Sequence, residues 1–237
     1  MSIPTSTRTT PRPVRKKAEA TVDPRQLRQR ALADVRRELV LAAARSAFFE
    51  LGMEKTSIRE VAQRAGYTPG AIYSYFASKE DLYGALLGES LDRLNDRVQQ
   101  ARDTASPGSS ALRATATAFF DFYRENPRDL DLGFYLFQGM QPRGLTPDLN
   151  DTLNVQLRNA LQPTQDALLL LGMPAKQALE EVTALFAHTV GLLVLSHTGR
   201  IRMFKQASQD LFGIYLEQLV GRTQKKAPGL LRRGPDY

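Results

Sequence analysis

The side chains that most often perform chemistry are scarce in this sequence of 237 residues. It contains no cysteine, which excludes thiolate metal sites, cysteine nucleophiles and disulfides. His188 and His197 are nine positions apart, neither i+3 nor i+4, and no carboxylate cluster accompanies them, so we expect no metal site. A phosphate-cradling glycine loop and an inward Glu-x-x-His pair are also missing. We therefore predict no catalytic residues and no cofactor.

A short segment with two phenols stands out instead as a group of binding residues. Ile72 and Phe76 are spaced i and i+4, which predicts that they form the inner side of a short helix. Tyr73, Ser74 and Tyr75 must then point to the outer side. Two phenols on the surface of such a helix are either ordinary amphipathic side chains or groups that bind a partner.

The sequence predicts helices on both sides of the segment that holds Tyr73 and Tyr75. Apolar residues recur at three- and four-residue spacing from about residue 25 to 221, which predicts an all-α fold. Gly52 can end a first helix as a left-handed cap. Ser57, followed three positions later by Glu60, fits a capping box for a second helix that ends at Gly66.

The third helix begins where Thr68 can act as its N-cap, and Pro69 occupies the first turn. Ser78 and Asp81 form a second capping box, which predicts the start of a long fourth helix. Three short helices with Gly66 at the middle turn make a helix-turn-helix unit. In such a unit the second helix of the pair enters the major groove of DNA.

The positive charge is concentrated at the two ends of the chain. The formal net charge is +7; residues 1–33 carry eight basic and two acidic side chains, and residues 221–237 carry five and one. We predict a flexible basic N-terminal arm over 1–33 and a basic tail over 222–237. The arm either solubilises the protein or lies along a phosphate backbone. The chain shows no signal peptide and no run long enough to span a bilayer, so we expect a cytoplasmic protein without membrane association.

The motifs of the helix-turn-helix unit resemble the DNA-binding domain of the TetR family of bacterial transcriptional regulators, over about residues 36–84. The matching residues are Phe48, Gly52, Thr56-Ser57-Ile58-Arg59-Glu60-Val61-Ala62, Ala65-Gly66, Ile72-Tyr73-Ser74-Tyr75-Phe76 and Lys79-Glu80-Asp81-Leu82. They occur in order and without gaps. The resemblance implies a DNA-binding domain over 34–84 and a larger helical domain for ligand binding and dimerisation over 85–221.

The resemblance also implies roles for individual residues. Thr56 and Ser57 would offer hydroxyls and backbone N–H groups to a phosphate, and Arg59 would reach a base edge. The DNA-binding positions of the third helix would be Thr68, Pro69, Gly70, Ala71, Tyr73, Ser74 and Tyr75. The phenols would donate to phosphates and Lys79 would bind the backbone. Because this helix has few long polar side chains, base discrimination would depend on Arg59, methyl contacts and DNA shape.

The second half of the chain holds the candidate residues for a small-molecule effector of unknown identity. They are Phe119, Phe122, Tyr123, Phe134, Phe137, Met140 and His188. Aromatic residues at helical spacing are more often core than pocket, but as a group they can line an apolar cavity between helices. His188 either donates a polar contact to the effector or is a satisfied core histidine. The helical patterns here cover roughly 111–126, 127–139, 147–171, 175–199 and 206–221.

The last two predicted helices carry broad apolar faces, and Ala187 and Gly191 permit close approach. In the family, such a pair forms a four-helix bundle with its copy. We therefore expect a homodimer that binds a palindromic operator in double-stranded DNA as a ligand-responsive repressor. The alternative is a helical scaffold that binds partners without specific DNA recognition; a helical enzyme is a weaker rival.

Overall fold

A computed structural model describes residues 23–52, 55–134 and 145–224, and those residues form helices and connections with no strand. The all-α prediction is confirmed. The helices are α1 Pro24–Leu51, α2 Ile58–Ala65, α3 Pro69–Tyr73, α4 Lys79–Thr104, α5 Ser109–Glu125, α6 Pro127–Phe134, α7 Pro147–Leu170, α8 Ala175–His197 and α9 Ser208–Gln224, with a 3-10 helix at Arg200–Phe204.

The chain divides into two compact units, residues 1–38 and residues 39–237. In the first unit, residues 24–38 are helical, so the predicted flexible arm over 1–33 is wrong for its last ten residues. The Asp23 carboxylate accepts a hydrogen bond from the Arg25 N–H at 2.9 Å and thereby caps the helix. The prolines and basic residues of this segment favoured a flexible arm. Pro24, however, is the first residue of α1, a position at which a helix tolerates proline. Residues 1–22 lie outside the described part of the chain.

Within the second unit, we call residues 39–76 the reading head. Val40, Leu41 and Ala44 of α1 are completely buried, as are Val61 of α2 and Ile72 of α3. Burial of these apolar groups supplies most of the driving force for packing three helices, two of which are too short to be stable alone. Because the inner residues are fixed in this way, the outer residues of α2 and α3 have defined positions.

Helix α4 leaves the reading head and continues into the remaining helices, residues 109–224, which we call the body. In the body α4 packs against α5 and α7, and α8 packs against α7 and α9. Gly172 has a φ of 83° and ends α7, as glycine commonly does after a helix. The 3-10 helix at Arg200–Phe204 was not predicted, and residues 135–139 of the predicted sixth helix lie outside the described part.

Helix α8 is the one described helix that is long and apolar enough, by length and composition alone, to cross a membrane. The prediction that no run is long enough to span a bilayer is therefore wrong for α8 by these two criteria. A core helix of a soluble protein meets the same criteria, and α8 packs against α5, α7 and α9. About one third of its most apolar stretch is buried within the protomer, so much of its apolar surface lies open in a single chain.

Candidate nucleic-acid interface

The start of α2 is built by a side-chain cap. Ser57 has extended backbone geometry, and its hydroxyl oxygen accepts a hydrogen bond from the Glu60 N–H at 3.2 Å. This is the predicted N-cap. Arg59 follows in the first turn with an exposed side chain. The N-terminus of α2 therefore presents an exposed hydroxyl and an exposed guanidinium, a combination that suits phosphate and base contacts.

Thr56 does not share this exposure, and its predicted contact with a phosphate is wrong for the side chain. The residue is 2% exposed. Its hydroxyl lies 2.7 Å from the carbonyl oxygen of Gly52 and 3.1 Å from that of Ala47, and it donates to these groups at the end of α1. A buried carbonyl needs a hydrogen-bond partner, and Thr56 supplies it. Thr56 is thus a structural link between α1 and α2.

Arg64 provides a second link, which the sequence analysis missed. Its Nε donates to the Glu60 carboxylate at 2.7 Å within α2, and its Nη1 donates to the Glu50 carboxylate at 2.8 Å and to the Ser46 hydroxyl at 3.0 Å on α1. The i, i+4 spacing of Glu60 and Arg64 is visible in the sequence as a helical pair. The bridge to α1 depends on the fold and has no local signal.

Helix α3 has the predicted cap and the predicted inner side. The Thr68 hydroxyl accepts a hydrogen bond from the Ala71 N–H at 3.3 Å, and Pro69 occupies the first turn. Ile72 is completely buried, whereas its neighbour Tyr73 is 56% exposed. Gly66 before the helix has a φ of 73°, the left-handed geometry that glycine adopts without steric cost.

The surface of α3 around Gly70 is open. An added Cβ at Gly70 would meet no atom within 4 Å. Thr68 and Pro69 are exposed, and Ala71 is partly covered. A helix with small residues on its outer side allows its backbone to approach a partner closely, which suits docking in a DNA groove.

The last two predicted residues of α3 are less available than expected. The Ser74 hydroxyl donates to the Ala71 carbonyl oxygen at 2.6 Å and keeps only its acceptor capacity for a partner. Tyr75 is half-buried and packs against the core, so its outward orientation is wrong in part. The reason is that α3 ends at Tyr73, and helical periodicity no longer applies two residues later.

The second predicted capping box begins α4. The Asp81 N–H donates to the Ser78 hydroxyl at 3.0 Å, and the Ala77 N–H donates to the Asp81 carboxylate at 3.1 Å. Lys79 is the first residue of α4 and is half-buried. The predicted interface residues Ser57, Arg59, Tyr73 and Lys79 thus stand at helix ends that local caps hold in place.

Comparison with known proteins agrees with this architecture. The family description "Bacterial regulatory proteins, tetR family" matches residues 40–86, which contain α2, α3 and the start of α4. Over these residues the chain matches the TetR family. The matched residues are those of the helix-turn-helix unit, and the body lies outside the match.

Two curated relatives and one solved structure extend the comparison. The chain is 37% identical over 101 residues to the HTH-type transcriptional activator FasR of Mycolicibacterium smegmatis, covering 43% of this chain and 46% of that one. It is 35% identical over 86 residues to the HTH-type transcriptional repressor KstR2 of the same organism, covering 36% and 42%. Each match therefore spans less than half of the relative.

The solved structure concerns the fold of the whole molecule. The regulator FadR from Bacillus subtilis, in complex with stearoyl-CoA, superposes with a TM-score of 0.59 at 19% identity and covers 77% of this chain and 97% of that one. At this identity the likeness shows a shared fold, in which the TetR-family reading head is followed by a helical body.

The body contains a small cavity that brings together two of the predicted effector residues. It has a volume of about 60 Å³. Its lining residues are Leu87, Leu91, Tyr123, Gly133, Phe134, Leu145, Asn150, Leu153, Asn154 and Leu157. They come from α4, α5, α6 and α7, except Leu145, which lies two positions before α7. Tyr123 is 1% exposed, and burial raises the pKa of its phenol, which is therefore neutral at physiological pH.

The other predicted effector residues lie elsewhere. Phe119 packs edge-on against Tyr123 with ring centres 5.4 Å apart, behind the cavity wall, and Phe122 lies under the Arg93 guanidinium at 5.8 Å. Phe137 and Met140 are outside the described residues. Phe119 and Phe122 are thus core residues, which is the more common role of aromatic residues at helical spacing.

His188 is also separated from the cavity. Its ring stacks on Tyr215 of α9 with centres 4.3 Å apart, whereas Phe186 of the same helix contacts Phe119 and Phe134. Two positions along a helix correspond to a rotation of about 200°, so His188 and Phe186 face opposite sides. Burial lowers the pKa of His188. The predicted effector contact of His188 is wrong for the described cavity.

Proposed function

We propose that this protein is a homodimeric DNA-binding transcriptional regulator whose affinity for a palindromic operator responds to an apolar small molecule. The observation that carries the DNA-binding part is the geometry of α3. Complete burial of Ile72 fixes a short helix, while Tyr73 is exposed and Gly70 is open. An anchored helix with an open outer side is the arrangement that enters a major groove. The match of residues 40–86 to the TetR family supports the same interpretation.

A homodimer through α8 and α9 is supported by the residues that remain uncovered. Part of the apolar face of α8, namely Leu185, Leu192 and Leu193, is buried within the protomer. The exposed residues of α8 include Ala187 and Gly191, which are small enough for close helix packing. Ile214 of α9 is 56% exposed. A second copy would cover these groups and would also double the contacts with a palindromic site.

The effector site is proposed at the cavity between α4, α5, α6 and α7. Leucine side chains and the rings of Tyr123 and Phe134 make its wall apolar, and Asn150 and Asn154 add amide groups on the α7 side. In this structure the cavity admits only a small group, so a larger ligand must separate the helices around it. Fatty acyl-CoA esters are the first class to test, because FadR from Bacillus subtilis was solved with stearoyl-CoA.

Repression is the proposed sign of regulation, and the cytoplasm is the proposed location. Of the two curated relatives, one is named an activator and the other a repressor. A reporter gene placed behind the selected operator determines the sign directly: loss of the protein raises expression for a repressor and lowers it for an activator. This result is independent of whether the protein binds DNA specifically.

The DNA-binding proposal is tested by selecting an operator from a random duplex pool and measuring binding at several salt concentrations. A specific regulator loses affinity steeply with salt, because phosphate contacts release counterions, yet keeps its preference for one sequence. We expect the selected duplex to bind at least about 1,000-fold more tightly than random duplex. Equal affinity for all duplexes would support the scaffold alternative and contradict the proposal.

A further inference from the structure

Near the start of α4, a buried leucine is followed by two residues that contact other helices. Leu82 is completely buried and belongs to the hydrophobic core. Tyr83 packs edge-on against Phe48 of α1 with ring centres 6.2 Å apart, and its hydroxyl donates to the Leu132 carbonyl oxygen of α6. Gly84 faces α7, where Leu149 lies against it. The first turns of α4 therefore join the reading head to α6 and α7.

The contact between Gly84 and Leu149 is close because Gly84 has no side chain. A Cβ built on Gly84 would lie 2.5 Å from Leu149 Cδ2, 3.1 Å from Cδ1 and 3.2 Å from Cγ. Real Cβ atoms do not tolerate the first of these distances. All three atoms belong to the side chain of Leu149, which is half-buried. A side chain at Gly84 therefore requires either another rotamer of Leu149 or a shift of α7 away from α4.

The proposed effector cavity adjoins this contact. Leu87 of α4 lines the cavity and follows Gly84 by three residues, or about one helical turn. Asn150 of α7 lines it and directly follows Leu149. A ligand that enlarges the cavity must separate α4 from α7 here. The Gly84–Leu149 contact is therefore the nearest place where that separation acts on the part of α4 that holds the reading head.

We infer that Gly84 and Leu149 form a positioning contact that sets the orientation of the reading head relative to the body and transmits effector binding to it. While Leu149 packs against Gly84, α4 keeps one position relative to α7. A group that separates α4 from α7 moves Leu82 and Tyr83, and the reading head moves with them. This inference rests on the proposed function, because it assigns the regulation of the same effector cavity. Coupling of this kind requires two arrangements whose equilibrium both sites bias.

The test uses a substitution that adds a methyl group between α4 and α7, in order to imitate the separation that the effector would cause. In Gly84→Ala the new Cβ acts as a permanent wedge, and Gly84→Ala/Leu149→Ala removes the group with which it collides. Gly88→Ala is the matched control, since a Cβ there would meet only Gln156 Oε1, at 3.9 Å. The absence of cysteine in the chain allows unique spin labels at the exposed positions of Gln63→Cys on α2 and Ser110→Cys on α5. Labelled chain is diluted with unlabelled chain so that distances within one protomer dominate.

We expect Gly84→Ala to shift the distance between the two labels and to change affinity for the selected operator by about tenfold. The double variant returns both quantities to within about twofold of wild type, and Gly88→Ala changes neither. Stearoyl-CoA added to wild type is the ligand probe, and it is expected to shift the distance in the same direction as Gly84→Ala. A distance that shifts in another direction with stearoyl-CoA contradicts the inference.

Other outcomes also decide the inference. An unchanged distance in Gly84→Ala, or a double variant that stays shifted, overturns it, because the effect would then not pass through Leu149. If Gly84→Ala does not fold while the double variant does, the collision with Leu149 is supported, and Leu149→Ala alone must then bind operator normally but respond less to stearoyl-CoA. Failure of the proposed function looks different: wild type and all variants lack sequence preference, while the label distances still report on the contact.

Discussion

The Arg64 guanidinium on α2 and the Glu50 carboxylate on α1 are joined at 2.8 Å, a bridge across the two helices that precede α3. The hydrogen bond from Arg64 lowers the pKa of Glu50 from its usual 4.5. A carboxylate whose pKa is lower in the folded state stabilises that state above the unfolded pKa, and the contribution is lost as the pH falls through the folded value. Helices α1 and α2 of the reading head are thus linked by an ion pair that is lost when Glu50 becomes protonated.

We predict that Arg64→Met reduces the acid sensitivity of unfolding. In wild type, part of the free energy of unfolding is lost as the pH falls below about 4.5 and through the lower folded-state pKa of Glu50. The variant lacks this part at neutral pH and has less to lose. Urea unfolding of both proteins at a series of pH values measures the difference. Parallel curves for wild type and variant would show that the bridge does not contribute.

Thr56 gives a prediction that separates a structural role from a DNA contact. Thr56→Val keeps the side-chain shape but removes the hydroxyl that donates to the carbonyl oxygens of Ala47 and Gly52, while the Thr56 N–H still donates to Gly52. We therefore expect a loss of about 1 kcal/mol in the free energy of unfolding. Thr183→Val is the control, because the Thr183 hydroxyl bonds the Leu179 carbonyl at an exposed position and its loss should stay within about 0.5 kcal/mol. Unchanged stability together with a large loss of operator affinity would restore the phosphate contact.

Arg59 and Lys79 are predicted to differ in the kind of affinity they supply. If Arg59 reads guanine, Arg59→Ala costs about 1–3 kcal/mol at one base pair and relaxes specificity there. Lys79→Ala weakens binding to all sequences and lowers the salt slope by about 0.9. Titration of a set of operator variants at two salt concentrations measures both effects. A uniform loss for Arg59→Ala would make it a phosphate contact instead.

The dimer face is tested by placing charge on α9. Ile214→Arg introduces two symmetry-related charges into the proposed interface and is expected to weaken dimerisation roughly 100-fold, with a parallel loss of operator affinity. Val155→Arg on α7 is the matched control, since Val155 is 57% exposed and Ile214 is 56% exposed. Analytical ultracentrifugation measures the oligomeric state. A dimer that survives Ile214→Arg but not Val155→Arg would move the interface to α7.

The parts of this fold that the sequence predicted are those with local causes. Ser57, Thr68 and Ser78 are caps whose partners lie three residues ahead, so spacing alone identified them. Ile72 and Phe76 are both buried, as their spacing predicted, although α3 ends before Phe76. Local geometry decides these features, and residue types report it.

The features that the sequence analysis missed depend on distant partners. The Thr56 hydroxyl points inward and donates to the carbonyl oxygens of Ala47 and Gly52. The residues around Thr56 in the sequence give no indication of these partners. Gly84 resembles any helical glycine until Leu149, sixty-five positions later in the sequence, is found against it. His188 was grouped with aromatic residues on composition, although it faces away from Phe186. Such pairings become visible only when the helices are packed.

The central claim is that the outer side of α3 lies against DNA, and site-specific cross-linking tests it most directly. Because the chain has no cysteine and a Cβ at Gly70 meets no neighbouring atom, Gly70→Cys can carry a short photoreactive group without displacing α3. The control carries the same group at Ser110→Cys, an exposed position on α5. We predict cross-links from position 70 to bases in both halves of the selected operator and none from position 110. Binding of the labelled protein without any cross-link from position 70 would contradict the claim.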